Sequence, residues 1–237
     1  AASEIPGSKV LGKDAGEVAG LEPNGVLIGD DSAAAIAAAQ CVIDFTVPEA
    51  TVAHAKVASE NGVAMVIGTT GLDPIQTKLI QDAATKVPIM WAANMALGVN
   101  ILLALVEKTA SMLDPSYDIE VLEMHHRHKI DAPSGTALLL GKAAAEGRKI
   151  DLAKRSLRSR DGHTGARPAG DIGFAALRGG SVVGDHTVIF AGNSERIEFS
   201  HKAESRDIFA HGAVKAALWA KGQKPGLYSM TDVLGLE

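Results

Sequence analysis

Along the N-terminal part of the chain, hydrophobic positions fall in short solid runs separated by amphipathic or alanine-rich stretches. Cys41-Val42-Ile43, Val63–Ile67 and Pro88–Ala92 are apolar runs too short for helices. Runs of that length without alternation predict strands buried on both faces. Helical signals lie between them. Ser32 opens an alanine-rich helix to about Gln40, Pro48 opens one over 48–61 that closes at Asn61-Gly62, and Asp73-Pro74 opens a third to about Lys86. Proline in the first turn and glycine after the last follow the usual asymmetry of helix ends. The alternation predicts a parallel sheet with helices on its faces. Ligands of such sheets bind beyond the carboxyl ends of the strands. Those ends are Asp44-Phe45-Thr46, Gly68-Thr69-Thr70-Gly71 and Ala92-Ala93-Asn94, all small, polar or glycine-rich. A glycine after a strand is often only a turn; three such ends in succession favour a nucleotide site.

The second half has a different rhythm. The spacing predicts a helix over 98–112, a strand over 117–124 and a helix over 135–146. A polar stretch over 147–171 follows, longer than ordinary connections and therefore expected to be functional or mobile. It carries Arg155, Arg158, Arg160 and Gly162-His163-Thr164-Gly165. Residues 172–203 read as antiparallel strands turning at Gly179-Gly180 and Gly192-Asn193, with Val188/Phe190 and Ile197/Phe199 alternating against polar neighbours. Asp207–Lys221 is the last predicted helix.

Composition narrows the partners. A formal charge of −5 gives no bulk attraction to nucleic acid, and 4% aromatic residues leave little for base stacking. No apolar run approaches the ~20 residues that span a bilayer, so no membrane partner is expected. No signal-peptide pattern stands at the start. The single cysteine, Cys41, excludes an internal disulfide and fits a reducing, cytoplasmic compartment; in an apolar run it reads as core, not nucleophile.

The chemistry concentrates in Glu123-Met124-His125-His126-Arg127-His128-Lys129-Ile130-Asp131-Ala132-Pro133-Ser134-Gly135-Thr136-Ala137, where three of the eight histidines fall within four residues. Ser134 is placed to cap a helix whose first amides, with the dipole, attract carboxylate or phosphate. Three readings compete: a solvated basic loop, a metal site, and an anion-binding catalytic loop. Zinc sites favour paired ligands at helical spacing or partner cysteines, which are absent, so no metal is expected. The catalytic loop is favoured because proton-transfer groups, fixed cations and an anion-binding helix start share one segment.

On this string the sequence resembles dihydrodipicolinate reductase, the pyridine-nucleotide enzyme of diaminopimelate and lysine biosynthesis. Gly68-Thr69-Thr70-Gly71, Ala92-Ala93-Asn94-Met95 and Gly162-His163-Thr164-Gly165 match further landmarks of that family in order, and the likeness runs through essentially the whole chain. It implies an α/β fold: a Rossmann-type dinucleotide-binding domain from 1–96 and 206–237, and a central α+β substrate and tetramerisation domain over 97–205 with a mostly antiparallel sheet. One departure is large. The family opens with a strand, a glycine-rich turn and a helix that hold the cofactor pyrophosphate, a unit of roughly 30 residues, and Ala1-Ala2-Ser3-Glu4 aligns with the end of its second strand. The expectation is an incomplete, N-terminally truncated cofactor domain.

The resemblance implies hydride transfer from NAD(P)H to 4-hydroxy-tetrahydrodipicolinate, a small cyclic dicarboxylate. It implies His125 as acid/base and Lys129 as proton donor. His126, Gly135 and Thr136 are implied to bind substrate, and Glu4, Gly68, Thr69, Thr70, Ala92, Ala93, Asn94 and Met95 to bind cofactor. Arg127 and His128 stay outside the catalytic set. Where the family often carries an arginine for the 2′-phosphate, the residue after Glu4 is Ile5, which favours NADH, with Lys9 the nearest alternative cation. A homotetramer is implied, placed on the strands of 172–203. The alternative is a non-catalytic remnant that oligomerises and binds dicarboxylates.

Overall fold

A computed structural model describes residues 1–236. The elements in chain order are β1 (Ala2–Ser3), α1 (Ala15–Val18), β2 (Ile28–Gly29), α2 (Ser32–Ala37), β3 (Cys41–Asp44), α3 (Pro48–Asn61), β4 (Ala64–Ile67), α4 (Pro74–Ala84) and β5 (Pro88–Trp91). They continue with α5 (Leu97–Met112), β6 (Asp118–His125), α6 (Gly135–Arg148), α7 (Leu152–Arg155), β7 (Ser156–Leu157), β8 (Ile172–Arg178), β9 (Gly184–Ala191) and β10 (Arg196–Ala203). The last are α8 (Asp207–Ala220), β11 (Gly226–Tyr228) and α9 (Met230–Leu234). The chain divides into two compact units, Ala1–Ala93 with Ala213–Val233 and Asn94–Gly212 with Leu234–Glu237.

In the first unit, β11, β5, β4 and β3 form an all-parallel sheet in that order. Its core is Met65, Ile67, Ile80 and Ile89 against Ala55, Ala58 and Val63. Local chemistry sets the helix ends. Gly62 closes α3 at φ 69°, and Asp73 and Gln76 open α4 with reciprocal side-chain bonds of 2.7 and 2.9 Å. The alanine-rich helix α2 stops at Ala37, short of Gln40. Ile36 is its only buried residue, so alanine propensity has no apolar face to anchor it. β1 and β2 form a separate parallel pair. A cavity of about 440 Å³ is lined by Ala2, Ser3, Ile36, Val42, Asp44 and His54 among others.

The second unit holds a five-stranded sheet in the order β10-β9-β6-β8-β7. It is mixed, with the longer run of pairing antiparallel. β10–β9 and β9–β6 are antiparallel, while β6–β8 and β8–β7 are parallel. Gly192-Asn193 lies in a hairpin as expected, but Gly179-Gly180 does not. β6 lies between β8 and β9, so the chain from Arg178 to Gly184 passes over the end of β6. Glycine pairs marked a turn, and nothing local in the sequence distinguishes a hairpin from this crossing.

The alternating apolar face of 172–203 turns inward. Val188 and Phe190 are fully buried with Val106, Leu140 and Ile172, and Ile197 and Phe199 pack onto the same cluster. That face covers the unit's own helices. The polar stretch after α6 is organised too. It contains α7 and β7, Arg155 pairs with Asp171 at 3.1 Å, Arg160 reaches Glu120 at 2.6 Å, and Arg167 joins Glu120 and Asp118 at 2.9 and 2.8 Å.

One property of this sheet positions the chemistry. Its inner face changes character along the strands. Two cross-strand rows are apolar, Ile172–Ile119–Phe190–Ile197 and Phe174–Val121–Val188–Phe199. The next is Ala176–Glu123–His186–His201. His125 and Arg178 pair beyond it.

Candidate active site

His125 ends β6 two residues beyond Glu123, so the period of a strand puts both on the inner face. The imidazole Nδ1 lies 2.6 Å from Glu123 Oε2. Glu123 is 1% exposed and fully engaged. Arg178 donates to Oε2 and Oε1 at 2.8 Å each, and the Ser134 amide donates to Oε1 at 3.1 Å. Burial alone would raise this carboxyl; the hydrogen bonds from Arg178, His125 and Ser134 hold it below its ordinary value. An ionised carboxylate only accepts, so the neutral His125 ring carries its proton on Nδ1 and keeps Nε2 as a free lone pair. Nε2 faces the start of β9, where a Cβ on Gly184 would stand 3.0 Å from it. Glycine there keeps the nitrogen clear.

His186 meets His125 edge-on at 5.1 Å, and its Nε2 lies 3.0 Å from Ser134 Oγ. Desolvation above all, with the His125 charge second, pushes His186 down to about 4, so it is neutral near pH 7. Its Nδ1 is buried with no partner among the described residues. Ser134 Oγ also accepts the Ala137 amide at 3.1 Å and so caps α6. The amides of Gly135 and Thr136 then have no acceptor among the described residues. Asn94 Nδ2 donates to Thr136 Oγ1 at 3.1 Å, and Asn94 is fixed in turn by the Ala96 amide at 2.8 Å and Asn100 at 2.9 Å. Two unpaired amides at the positive end of a fourteen-residue helix, beside a threonine hydroxyl, are suited to an anion.

The loop after His125 is fastened to the crossing segment. Gly179 N donates to His125 O at 3.0 Å, His126 N to Val182 O at 2.7 Å and Arg127 N to Gly180 O at 3.3 Å. His126 is half-buried, and its desolvation, with the Arg206 charge next, lowers its imidazole from the ordinary value. Lys129 Nζ lies 2.8 Å from Asp131 Oδ1, and the Asp131 carbonyl accepts from Arg178 at 2.6 Å. Arg127 and His128 are exposed. The Ala132–Pro133 peptide is cis. Thus hydrogen bonds join His125, His126 and Lys129 through Glu123, Arg178 and the crossing segment, while Gly135 and Thr136 follow Ser134 in the chain and Asn94 bonds Thr136, all in the second unit. Met95 is 1% exposed and has no side-chain surface to offer a ligand.

The remaining predicted residues lie in the first unit. Asp44, 1% exposed, ends β3. Its Oδ1 accepts from the Thr46 amide, Thr46 Oγ1, Thr51 Oγ1 and Thr69 Oγ1 at 2.7–3.1 Å, and its Oδ2 meets His54 Nδ1 at 2.6 Å. Thr69 therefore points its hydroxyl inward, and its carbonyl accepts from Trp91 Nε1 at 3.0 Å. Gly68 approaches Phe45 so closely that a Cβ would stand 2.2 Å from the ring. Thr70 is exposed, Ala92 is tied to β4 by its amide to Ile67 O at 3.1 Å, and Ala93 is exposed. Glu4 lies at the end of β1, exposed, with Oε1 accepting its neighbour's amide at 2.8 Å. Cys41 is no nucleophile by this environment, since burial pushes its thiol up to about 11.

Residue-by-residue reading missed Glu123, Arg178 and His186. Glu123 has a visible signal, two residues before His125 on a predicted strand. Arg178 and His186 come from strands whose places beside β6 only the topology reveals.

Residues 1–95 match the family described as dihydrodipicolinate reductase, N-terminus, and residues 98–234 match dihydrodipicolinate reductase, C-terminus. The chain is 61% identical over 235 residues to the 4-hydroxy-tetrahydrodipicolinate reductase of Rhodopseudomonas palustris strain TIE-1, covering 99% of this chain and 87% of that protein. It is 58% identical over 236 residues to the enzyme of the same name from Beijerinckia indica, covering 100% and 87%. Among solved structures it is similar to a dipicolinate-bound dihydrodipicolinate reductase from Paenisporosarcina sp. TG-14, with a TM-score of 0.73 at 21% identity over 98% of this chain and 88% of that one, a likeness of fold. Two family matches that together span nearly every residue, and relatives near 60% identity over their full overlap, lead to one conclusion: the chain belongs to the dihydrodipicolinate reductase family.

Proposed function

We propose that this NAD(P)H-dependent reductase of 4-hydroxy-tetrahydrodipicolinate, in diaminopimelate and lysine biosynthesis, does its chemistry on the network around His125. The observation that carries this reading is a histidine clamped by a buried carboxylate beside two unpaired helix-start amides. The amides of Gly135 and Thr136 bind a substrate carboxylate. His126 contacts the substrate from the adjoining loop. The 4-hydroxyl leaves as water to give the conjugated imine, and hydride addition to that imine builds negative charge on the substrate, which a fixed cation and a proton donor stabilise. Lys129 delivers the proton that quenches this charge and restores the ring imine, and His125 exchanges protons through Nε2.

The cofactor residues fit a dinucleotide. The Gly68–Thr70 and Ala92–Ala93 loops lie at the carboxyl ends of parallel strands, and Glu4 has a free carboxylate oxygen for ribose hydroxyls. Asn94 and Met95 continue the second loop. When bound, the reduced nicotinamide supplies the hydride. Glu4 with the exposed aliphatic Ile5 (70% exposed) supports a preference for NADH. The chain works in the cytoplasm, which suits a lone cysteine and a biosynthetic reaction; no helix among the described residues is long and apolar enough to cross a membrane.

The assembly is a homotetramer formed by the outer face of the sheet of the second unit. Leu122, Met124, Leu177 and Ile189 supply its apolar surface, while the inner face is occupied by the unit's own helices. A clean monomer mass by light scattering at micromolar concentration would count against it. Substrate-dependent loss of reduced-nicotinamide absorbance tests the activity; its absence in the folded full-length protein overturns the reading.

A further inference from the structure

We infer that Glu123 and Arg178 are a positioning pair that sets the charge and tautomer of His125, acting with opposite sign. The inference deepens the proposed role of His125 and rests on it. Three facts carry it. Among the described residues Glu123 is the only carboxylate bonded to His125, at 2.6 Å. Arg178 binds that same carboxylate through both of its oxygens at 2.8 Å, and it is the cross-strand partner of His125. His125 is 9% exposed and Glu123 1%, so solvent screens their interaction little, while the Arg178 side chain is 21% exposed.

The titratable and charged groups around His125 come from every neighbouring element. β6 contributes Glu123, β8 Arg178, β9 His186, and the following loop His126, His128, Lys129 and Asp131. Apart from Glu123 and the more distant, lysine-paired Asp131, these groups are cationic or neutral. Without the Glu123 charge, the imidazolium would face Arg178 and Lys129 with no close counter-ion. With Glu123 present but Arg178 removed, the imidazolium would have a full, unshared counter-ion. The pair therefore sets one negative and one positive charge beside His125, with opposite effects on the imidazolium. The same carboxylate fixes the proton on Nδ1 and leaves Nε2 free. A glutamine in its place can offer N–H toward Nδ1 and allow the other tautomer.

The readout is the titration of the His125 ring in the unsubstituted protein and in Glu123→Gln and Arg178→Met variants, followed by side-chain 15N–1H NMR without substrate. The His125 midpoint is expected to move down by about one pH unit or more in Glu123→Gln and up by a similar amount in Arg178→Met. The neutral ring is expected to report Nδ1–H in the unsubstituted protein and to lose that preference in Glu123→Gln. In steady state, Glu123→Gln is expected to lose roughly 10²-fold in kcat with little change in KM. The limb of the kcat profile that reports the protonated ring should move in the same direction as the NMR midpoint. Glu123→Asp, which keeps the charge, should restore the midpoint. If Arg178→Met misfolds, Arg178→Lys replaces it, with the midpoint expected to stay near that of the unsubstituted protein. Midpoints that move in the same direction in Glu123→Gln and Arg178→Met, or that stay fixed, overturn the inference and leave the pair a structural brace. The NMR outcome does not depend on turnover, so an inactive but folded unsubstituted protein would count against the proposed function and not against the pair.

Discussion

Asp44 and Glu123 are equally buried, at 1% exposure each, and each bonds a histidine Nδ1 at 2.6 Å, yet they serve different ends. Asp44 is otherwise surrounded by neutral donors, three threonine hydroxyls and an amide. Glu123 is surrounded by an arginine and a helix-start amide. Neutral donors satisfy a buried charge without placing a second one beside the histidine. Such a carboxylate acts as a fastener, here joining β3, α3 and the Gly68–Thr70 loop. An arginine adds a full opposing charge, and the histidine then senses a balance that a small change can tip. Burial and a histidine partner are common to both networks; the charge of the remaining partners is what differs.

The largest expected effects fall on the second network. His125→Ala and Lys129→Ala should each lower kcat by roughly 10²–10⁴-fold, as expected for loss of a positioned proton-transfer group. His126→Ala should act at least partly on KM. Initial-rate measurements across substrate concentration separate these; near-normal kcat in both alanine variants at 125 and 129 would remove the assigned roles.

Asp44→Ala should instead cost stability, about 3–4 kcal/mol, by leaving three hydroxyls and an imidazole without their shared acceptor. Denaturant unfolding reads this directly. The comparison breaks if Asp44→Ala leaves stability unchanged, or if it moves the pH profile of turnover as Glu123→Gln is expected to.

The acid response follows from His186. Its folded value near 4 lies below the ordinary 6.5, so between those values the unfolded chain takes up a proton that the folded one refuses. Stability from this residue is complete above about pH 6.5, falls as pH drops, and levels off below about 4, a loss of about 3 kcal/mol. Thermal unfolding against pH should show the decline over that window, and His186→Asn should flatten it.

The smallest effect concerns the cofactor. Ile5→Arg should improve NADPH binding by about 1–3 kcal/mol if one charge-assisted contact forms beside Glu4. Competition between the two reduced cofactors measures it. A tenfold or greater NADPH preference before substitution would show that Lys9 or another cation already meets the phosphate.

Much of this was legible because local rules govern it. Pro48, Gly62 and the Asp73/Gln76 pair set helix ends within a residue or two, and Ser134 marked the start of α6. The 123–137 string displayed its histidines and its anion site together. Long-range pairing was not legible. Gly179-Gly180 has the chemistry of a hairpin and makes a crossing, because the partner of β8 is set by burial of Phe174 and Val121 in a shared row. Arg178 and His186, more than fifty residues from Glu123 in the sequence, became visible only through that pairing.

The crossing over β6 has a consequence for portability. The 123–137 string looks like a self-contained cassette that could be moved into another scaffold. It is not one, because its backbone is held by residues 179–182 and its charge by Arg178, and Gly184 keeps His125 Nε2 clear. A transplant would need both flanking strands, in register, with the apolar rows beneath them. The smallest movable version of this chemistry is the three-strand sheet and the helix it feeds.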